Sequence, residues 1–190
     1  MIGNDIIDLE RAKIESDWRR KGYLNKLFTS FEQELINSTT DLDIMVWSLW
    51  SMKEAVYKAE YRSSLKFEYA PLNAYCIDLK RTIKGFESQF VYNEKKYFTI
   101  TEVIPNFIHT IAFKSKADYK NIKSIVRKYY PKKYESYLKT VNFLSHQEKI
   151  FKNEYGVPSV LNIDTGYINP LSISHHGDYL GVIRIPVLIN

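Results

Sequence analysis

Cysteine is nearly missing from this sequence. Cys76 is the only one in 190 residues, so no intrachain disulfide can form and a reducing cytosol is the natural setting. It lies among apolar neighbours in Leu72-Asn73-Ala74-Tyr75-Cys76-Ile77, outside any motif, and reads as a buried structural thiol. Long hydrophobic runs are missing as well. No stretch approaches the roughly 20 apolar residues that cross a bilayer, so no membrane partner is expected. The start, Met1-Ile2-Gly3-Asn4-Asp5, has neither the basic region nor the apolar stretch of a signal peptide, so a soluble cytoplasmic protein is expected. There is no low-complexity tract and no long linker. Excess charge is small: 27 Lys and Arg against 22 Asp and Glu give +5. That is too little to establish a nucleic-acid binder, but it suits an acidic protein or a polyphosphate ligand.

What is present is a normal core and many aromatics. Hydrophobic residues make up 45%, with 15 Tyr and 10 Phe, enough for one domain or two small fused repeats. Residues 1–9 read as a strand with Gly3, Asp5, Ile7 and Leu9 on one face. Residues 17–37 read as helix, broken near Gly22 and at Thr29-Ser30. Ser38-Thr39-Thr40-Asp41 forms a turn and helix start, and residues 43–62, without Gly or Pro, form the best helix. Strands follow at Leu72 to Leu79, around Phe90 to Tyr92, and at Tyr97 to Val103 and Phe107 to Phe113, the last two joined by Ile104-Pro105-Asn106. Lys114 to about Lys152 reads as mostly helical, broken at Pro131. A second hairpin runs from Leu171 to Ser174, through a His-His-Gly-Asp turn, to Tyr179–Ile185. Residues 106–113 and 178–185 share a pattern of polar, aromatic, aliphatic and alternating apolar positions, a signal of internal duplication.

Two groups of residues carry chemistry. Glu54 and Lys58 lie four apart on the strong helix and share a face. Alone they read as a solvated ion pair; beside Asp5, should the first strand pack there, two carboxylates with water and phosphate oxygens suit magnesium. Near the other end, Ser172, Ser174 and His176 point one way and Leu171, Ile173 and His175 the other. His175-His176 reads as polar turn residues, as a metal pair lacking a third ligand, or as an anion site.

Ile2-Gly3-Asn4-Asp5, followed at this spacing by Trp50-Ser51-Met52-Lys53-Glu54-Ala55-Val56-Tyr57-Lys58, resembles the paired signature of the 4'-phosphopantetheinyl transferase superfamily. Leu27-Phe28-Thr29-Ser30-Phe31-Glu32 resembles the segment between the two motifs, and Phe98-Thr99-Ile100-Thr101-Glu102-Val103-Ile104-Pro105 the late strands of a repeat. Asn153 to Val160 resembles the Tyr-Gly-Lys-Pro segment, and Leu171-Ser172-Ile173-Ser174-His175 the Asn-x-Ser-His motif. These last two follow the Lys-Glu-Ala helix, as in the short holo-[acyl-carrier-protein] synthase group, rather than preceding it as in two-repeat members. Two positions depart from the pattern: Val157 stands where a phosphate-binding lysine is usual, leaving Lys149 or Lys152 as replacements, and Ile7 where a third acid is common. Asp8 matches the acid of the short group but should face away from Asp5, leaving water in the third metal position.

The resemblance implies an α+β fold of two pseudo-repeats, each a helix packed on an antiparallel sheet. Residues 1–117 would hold the metal site and 118–190 the Ser-His hairpin, with the active site in the crevice between. It implies transfer of 4'-phosphopantetheine from coenzyme A to a serine of an acyl or peptidyl carrier protein, in lipid or secondary-metabolite biosynthesis. Asp5 and Glu54 would hold Mg2+. Glu54, Lys58 and Glu32 would be catalytic, and Ser174, His175, Lys53 and Lys58 would bind coenzyme A. No nucleic-acid partner is expected, and a monomer with a permuted motif order is. Two alternatives remain: a coenzyme A-binding relative without transferase activity, and a nucleic-acid-binding domain using the Tyr/Lys stretch Lys123 to Lys139, whose binding would collapse with salt.

Overall fold

The computed structural model describes residues 1–65, 70–128 and 146–186. Strand β1, Ile2–Asp8, is buried along its whole length. It has neighbours on both sides. A Cβ on Gly3 would collide with the Ala55 carbonyl and the Ala59 amide of the long helix α4, Leu42–Ser64. On the other side Ile2 clusters with Ile111, Phe113 and Ile183. Only glycine allows the strand and helix backbones to meet this closely.

Helix α4 starts where Asp41 Oδ1 accepts the Ile44 N–H at 3.1 Å. Leu49, Met52, Ala55, Val56 and Ala59 along it are fully buried. The larger of these side chains each contribute roughly 2 kcal/mol by leaving water. Three short helices precede it: α1 (Leu9–Glu15), α2 (Tyr23–Leu27) and α3 (Ser30–Asn37).

Strands β2 (Tyr75–Thr82), β3 (Gly85–Tyr92), β4 (Lys95–Ile104) and β5 (Phe107–Phe113) complete a first antiparallel sheet in the order β1-β5-β4-β3-β2. After helix α5, Lys116–Asn121, a second sheet forms from β6 (Lys123–Lys128), β7 (Glu148–Lys152), β8 (Pro158–Asn162), β9 (Ile168–His176) and β10 (Tyr179–Arg184), in the order β6-β10-β9-β8-β7. The two orders are the same: each sheet's first strand pairs with its last, and the rest form a meander. The hairpin similarity thus has a structural counterpart, since β5 and β10 hold equivalent places. The molecule is α+β and antiparallel, as the sequence suggested, with two five-stranded sheets among the described residues. Strand β1 joins them by packing on β9 and β10. The end of α4 is also tied to the second sheet. Arg62 donates to the Pro158 carbonyl at 2.9 Å and to the Leu171 carbonyl, and burial pulls its pKa down to about 10.

Several expectations change. The helix expected over 17–37 is broken at Gly22 and Thr29 as anticipated, giving α2 and α3, but residues 17–22 are turns rather than helix, and α1 is new. Asp8 starts α1 by accepting the Glu10 and Arg11 N–H groups at 3.0 and 3.1 Å. Residues 123–128 and 148–152 are strands rather than helix. The Pro131 break, and most of the Lys123 to Lys139 stretch, lie outside the described residues. His175 and His176 belong to β9, and the turn is Gly177-Asp178 alone. Cys76 is buried, which pushes its thiol up to about 12 and leaves it inert, as expected. Among the described residues no helix is long and apolar enough to cross a membrane.

Candidate active site

A cleft of about 350 Å³ opens where the two sheets meet, and its lining includes Asp5, Glu54 and His175. These three come from β1, α4 and β9, so both halves of the chain contribute. Trp47, Trp50 and Tyr23 add an aromatic wall, and Glu15 and His176 also line it. Of these, the sequence pointed only to Trp50, as the first residue of the helix motif.

Asp5 is almost completely buried on β1. Lys58, one turn beyond Glu54 on α4, reaches its Oδ1 at 2.9 Å and the Asn4 carbonyl at 3.0 Å. An ammonium has three N–H donors, so one remains. Asp5 Oδ2 is buried without a hydrogen-bond partner. A buried carboxylate oxygen left this way is costly unless a cation or donor arrives. That orphan oxygen, with Glu54 in the same cleft, fits a hard cation such as Mg2+. Among the described residues no three His, Cys, Asp or Glu side chains gather as a complete metal cluster, so two carboxylates would be the protein's share.

Asp8 turns away from Asp5, as alternation required. Its Oδ2 accepts the Asp178 N–H at 2.9 Å. Burial alone would raise its pKa. The backbone N–H groups of Asp178, Arg11 and Glu10, helped by His176, outweigh that and hold the carboxyl below the ordinary value. His176 accepts the Asp8 N–H on Nδ1 at 2.8 Å and meets Glu15 through Nε2 at 3.2 Å.

Three expected site residues lie elsewhere. Glu32 and Lys53 are fully buried and paired with each other at 2.8 Å. Glu32 also accepts the Thr29 and Cys76 N–H groups at 2.8 and 2.9 Å, and Lys53 donates to the carbonyls of Pro71 and Ala74. With all three N–H groups used, Lys53 has none left for a coenzyme A phosphate. Burial lowers its pKa, partly offset by Glu32. The catalytic role expected of Glu32 and the ligand-binding role expected of Lys53 are not supported by this placement, in which the pair clamps α3, α4 and the start of β2. Ser174 is buried, and its Oγ accepts the Asn4 side-chain amide at 2.9 Å instead of facing the cleft. Val157 is also buried, with its N–H on Asn153 Oδ1 at 2.9 Å, while Lys149 and Lys152 are exposed on β7.

The family description of the 4'-phosphopantetheinyl transferase superfamily matches residues 1–112, more than half of the chain. The protein belongs to that superfamily. The match covers Asp5, Glu54 and Lys58 and ends within β5, so the hairpin carrying His175 lies beyond it. Among solved structures the protein is similar to holo-[acyl-carrier-protein] synthase (AcpS) from Neisseria meningitidis, at 14% identity and a TM-score of 0.45, over 58% of this chain and 94% of that one. Curated proteins gave no match.

Proposed function

We propose that the protein transfers the 4'-phosphopantetheine arm of coenzyme A to a serine hydroxyl of an acyl or peptidyl carrier protein. The reading rests on its superfamily and on one observation: Asp5, Glu54 and His175, from separate elements, line a single cleft. The serine oxygen forms a bond to the β-phosphorus of coenzyme A. The bond from that phosphorus to the bridging oxygen breaks, and 3',5'-ADP leaves. Such a transfer depends on positioning and charge neutralisation more than on covalent help from the protein.

Glu54 takes the serine proton as general base. Lys58 is held in place by Asp5 and the Asn4 carbonyl, and its remaining N–H binds a phosphate oxygen as charge builds there. His175 holds a coenzyme A phosphate from the opposite wall. Asp5 and Glu54 would hold Mg2+, which would supply neutralisation of the pyrophosphate.

The test is mass spectrometry of an apo carrier protein incubated with the protein, coenzyme A and magnesium, which should show one added phosphopantetheine. Asp5→Ala and Glu54→Ala should each lower kcat by roughly a thousandfold while leaving the fold intact, and the double variant should be hardly worse. If Glu54→Ala keeps most of its magnesium-dependent activity, the assignment of Glu54 fails.

A further inference from the structure

Among the described residues, strand β1 has one edge bonded to β5 and one without a strand partner. Leu9 N–H donates to the Asn106 carbonyl at 3.0 Å. Alternation along an antiparallel pair then turns the backbone groups of odd-numbered β1 residues toward β5 and those of even-numbered residues away. Side chains of β9 meet this outer edge. Asn4 N–H donates to Ser172 Oγ at 3.1 Å and Asp8 N–H to His176 Nδ1 at 2.8 Å. Between them, the Asn4 amide donates to Ser174 Oγ at 2.9 Å. Ser172 and His176 lie four residues apart, as do the Asn4 and Asp8 N–H groups they meet, and Ser174 between them meets the Asn4 side chain.

Asn4 is the centre of this seam. It is fully buried, its carbonyl holds Lys58, and its amide also lies 3.3 Å from His109 Nε2. Asp5 follows Asn4 in sequence, and His175 follows Ser174.

We infer that Asn4 is a positioning residue: with Ser172 and Ser174 it fixes the register of β9 along β1, and so places His175 on the cleft that Asp5 and Glu54 line. The inference rests on the proposed function. A slip of two residues would keep the same face of β9 inward but carry His175 about 6–7 Å along the strand, away from a phosphate held at Asp5. Apolar faces alone tolerate such a slip, whereas directional hydrogen bonds do not. Ser174 thereby acts through Asn4 and not on the ligand.

A double-mutant cycle on the full chain tests this, with transfer kinetics, coenzyme A titration and melting temperature measured on each protein. Asn4→Ala and Ser174→Ala should each raise the KM and Kd for coenzyme A roughly tenfold, the worth of one buried hydrogen bond, and leave the KM for the carrier protein unchanged. The double variant should match the worse single, because both remove the same bond. Additive losses, or an equal rise in the carrier-protein KM, would overturn the inference. Should Asn4→Ala not fold, Ser172→Ala paired with Ser174→Ala carries the comparison, with selective loss of coenzyme A binding expected and loss of carrier binding overturning it. If the wild type neither binds coenzyme A nor performs transfer, the proposed function fails and takes this role with it. A working wild type with additive losses removes the role of Asn4 alone.

Discussion

Lys53 and Glu54 are neighbours in sequence with opposite surroundings. Successive residues on a helix point about 100° apart, so when Glu54 faces the cleft Lys53 turns into the core. The motif was legible, but the depth of each residue depended on what packed against α4. Glu32→Ala should cost about 3–5 kcal/mol, because it strands a buried ammonium. Exchanging both partners, Glu32→Leu with Lys53→Met, should recover much of that stability, and kcat per folded molecule should then approach wild type. Urea unfolding alongside kinetics checks this, and a folded double variant without activity would restore a catalytic role to the pair. His109 makes a second residue-scale prediction. Burial, and then the charge of Lys58, push its pKa down to about 4. The folded protein therefore refuses a proton that the unfolded chain accepts near pH 6.5. Stability should fall as pH drops from about 6.5 to about 4, by on the order of 3 kcal/mol. Asp8, whose pKa is lowered, adds its own loss only below its ordinary value of 3.8, so the two windows are separate. His109→Gln should flatten the upper window in urea titrations across pH, and an unchanged slope would exclude His109 as its source.

At the scale of elements, β1 depends on Gly3. Gly3→Ala drives a methyl group into the backbone of α4, which cannot retract as a side chain could. We expect a loss of about 2–4 kcal/mol, and activity falling with it because Asp5 and Lys58 sit on the two elements forced apart. Thermal melts and kinetics would show this, and a wild-type melting temperature would mean the strand and helix are not packed this closely. Strands β4 and β5 were readable because Ile104-Pro105-Asn106 marks their turn. The length of α4 was readable from its missing Gly and Pro. Strands β6 and β7 were not, since Lys123–Lys128 and Glu148–Lys152 carry polar, helix-compatible residues and gain their state from pairing with β10 and β8. Helix α1 had a readable signal in Asp8, a good N-cap before Leu9, but the run before it looked like one continuous strand. The seam at Asn4 had none, because it exists only once two distant strands meet.

For the whole molecule, one chain brings Asp5 and His175 to a shared cleft without help from a second copy. Mixing Asp5→Ala protein with His175→Ala protein should therefore give no activity, since neither chain has both walls. Recovered activity on mixing, with light scattering showing a trimer, would mean that sites form between chains. The matching strand orders have a further consequence. In the first sheet Asp5 pairs with Thr110, and in the second the residue aligned with Thr110 is Val182, which pairs with Ile125. The residue aligned with His175 in the first hairpin is Val103. The duplicate of the carboxylate is thus isoleucine, and the duplicate of the imidazole is valine. Each half carries a polar group where the other has an apolar one, like a pair of tools with one blade and one handle between them. On the proposed function only one of the two corresponding places carries the chemistry, and calorimetry should count a single coenzyme A for each chain.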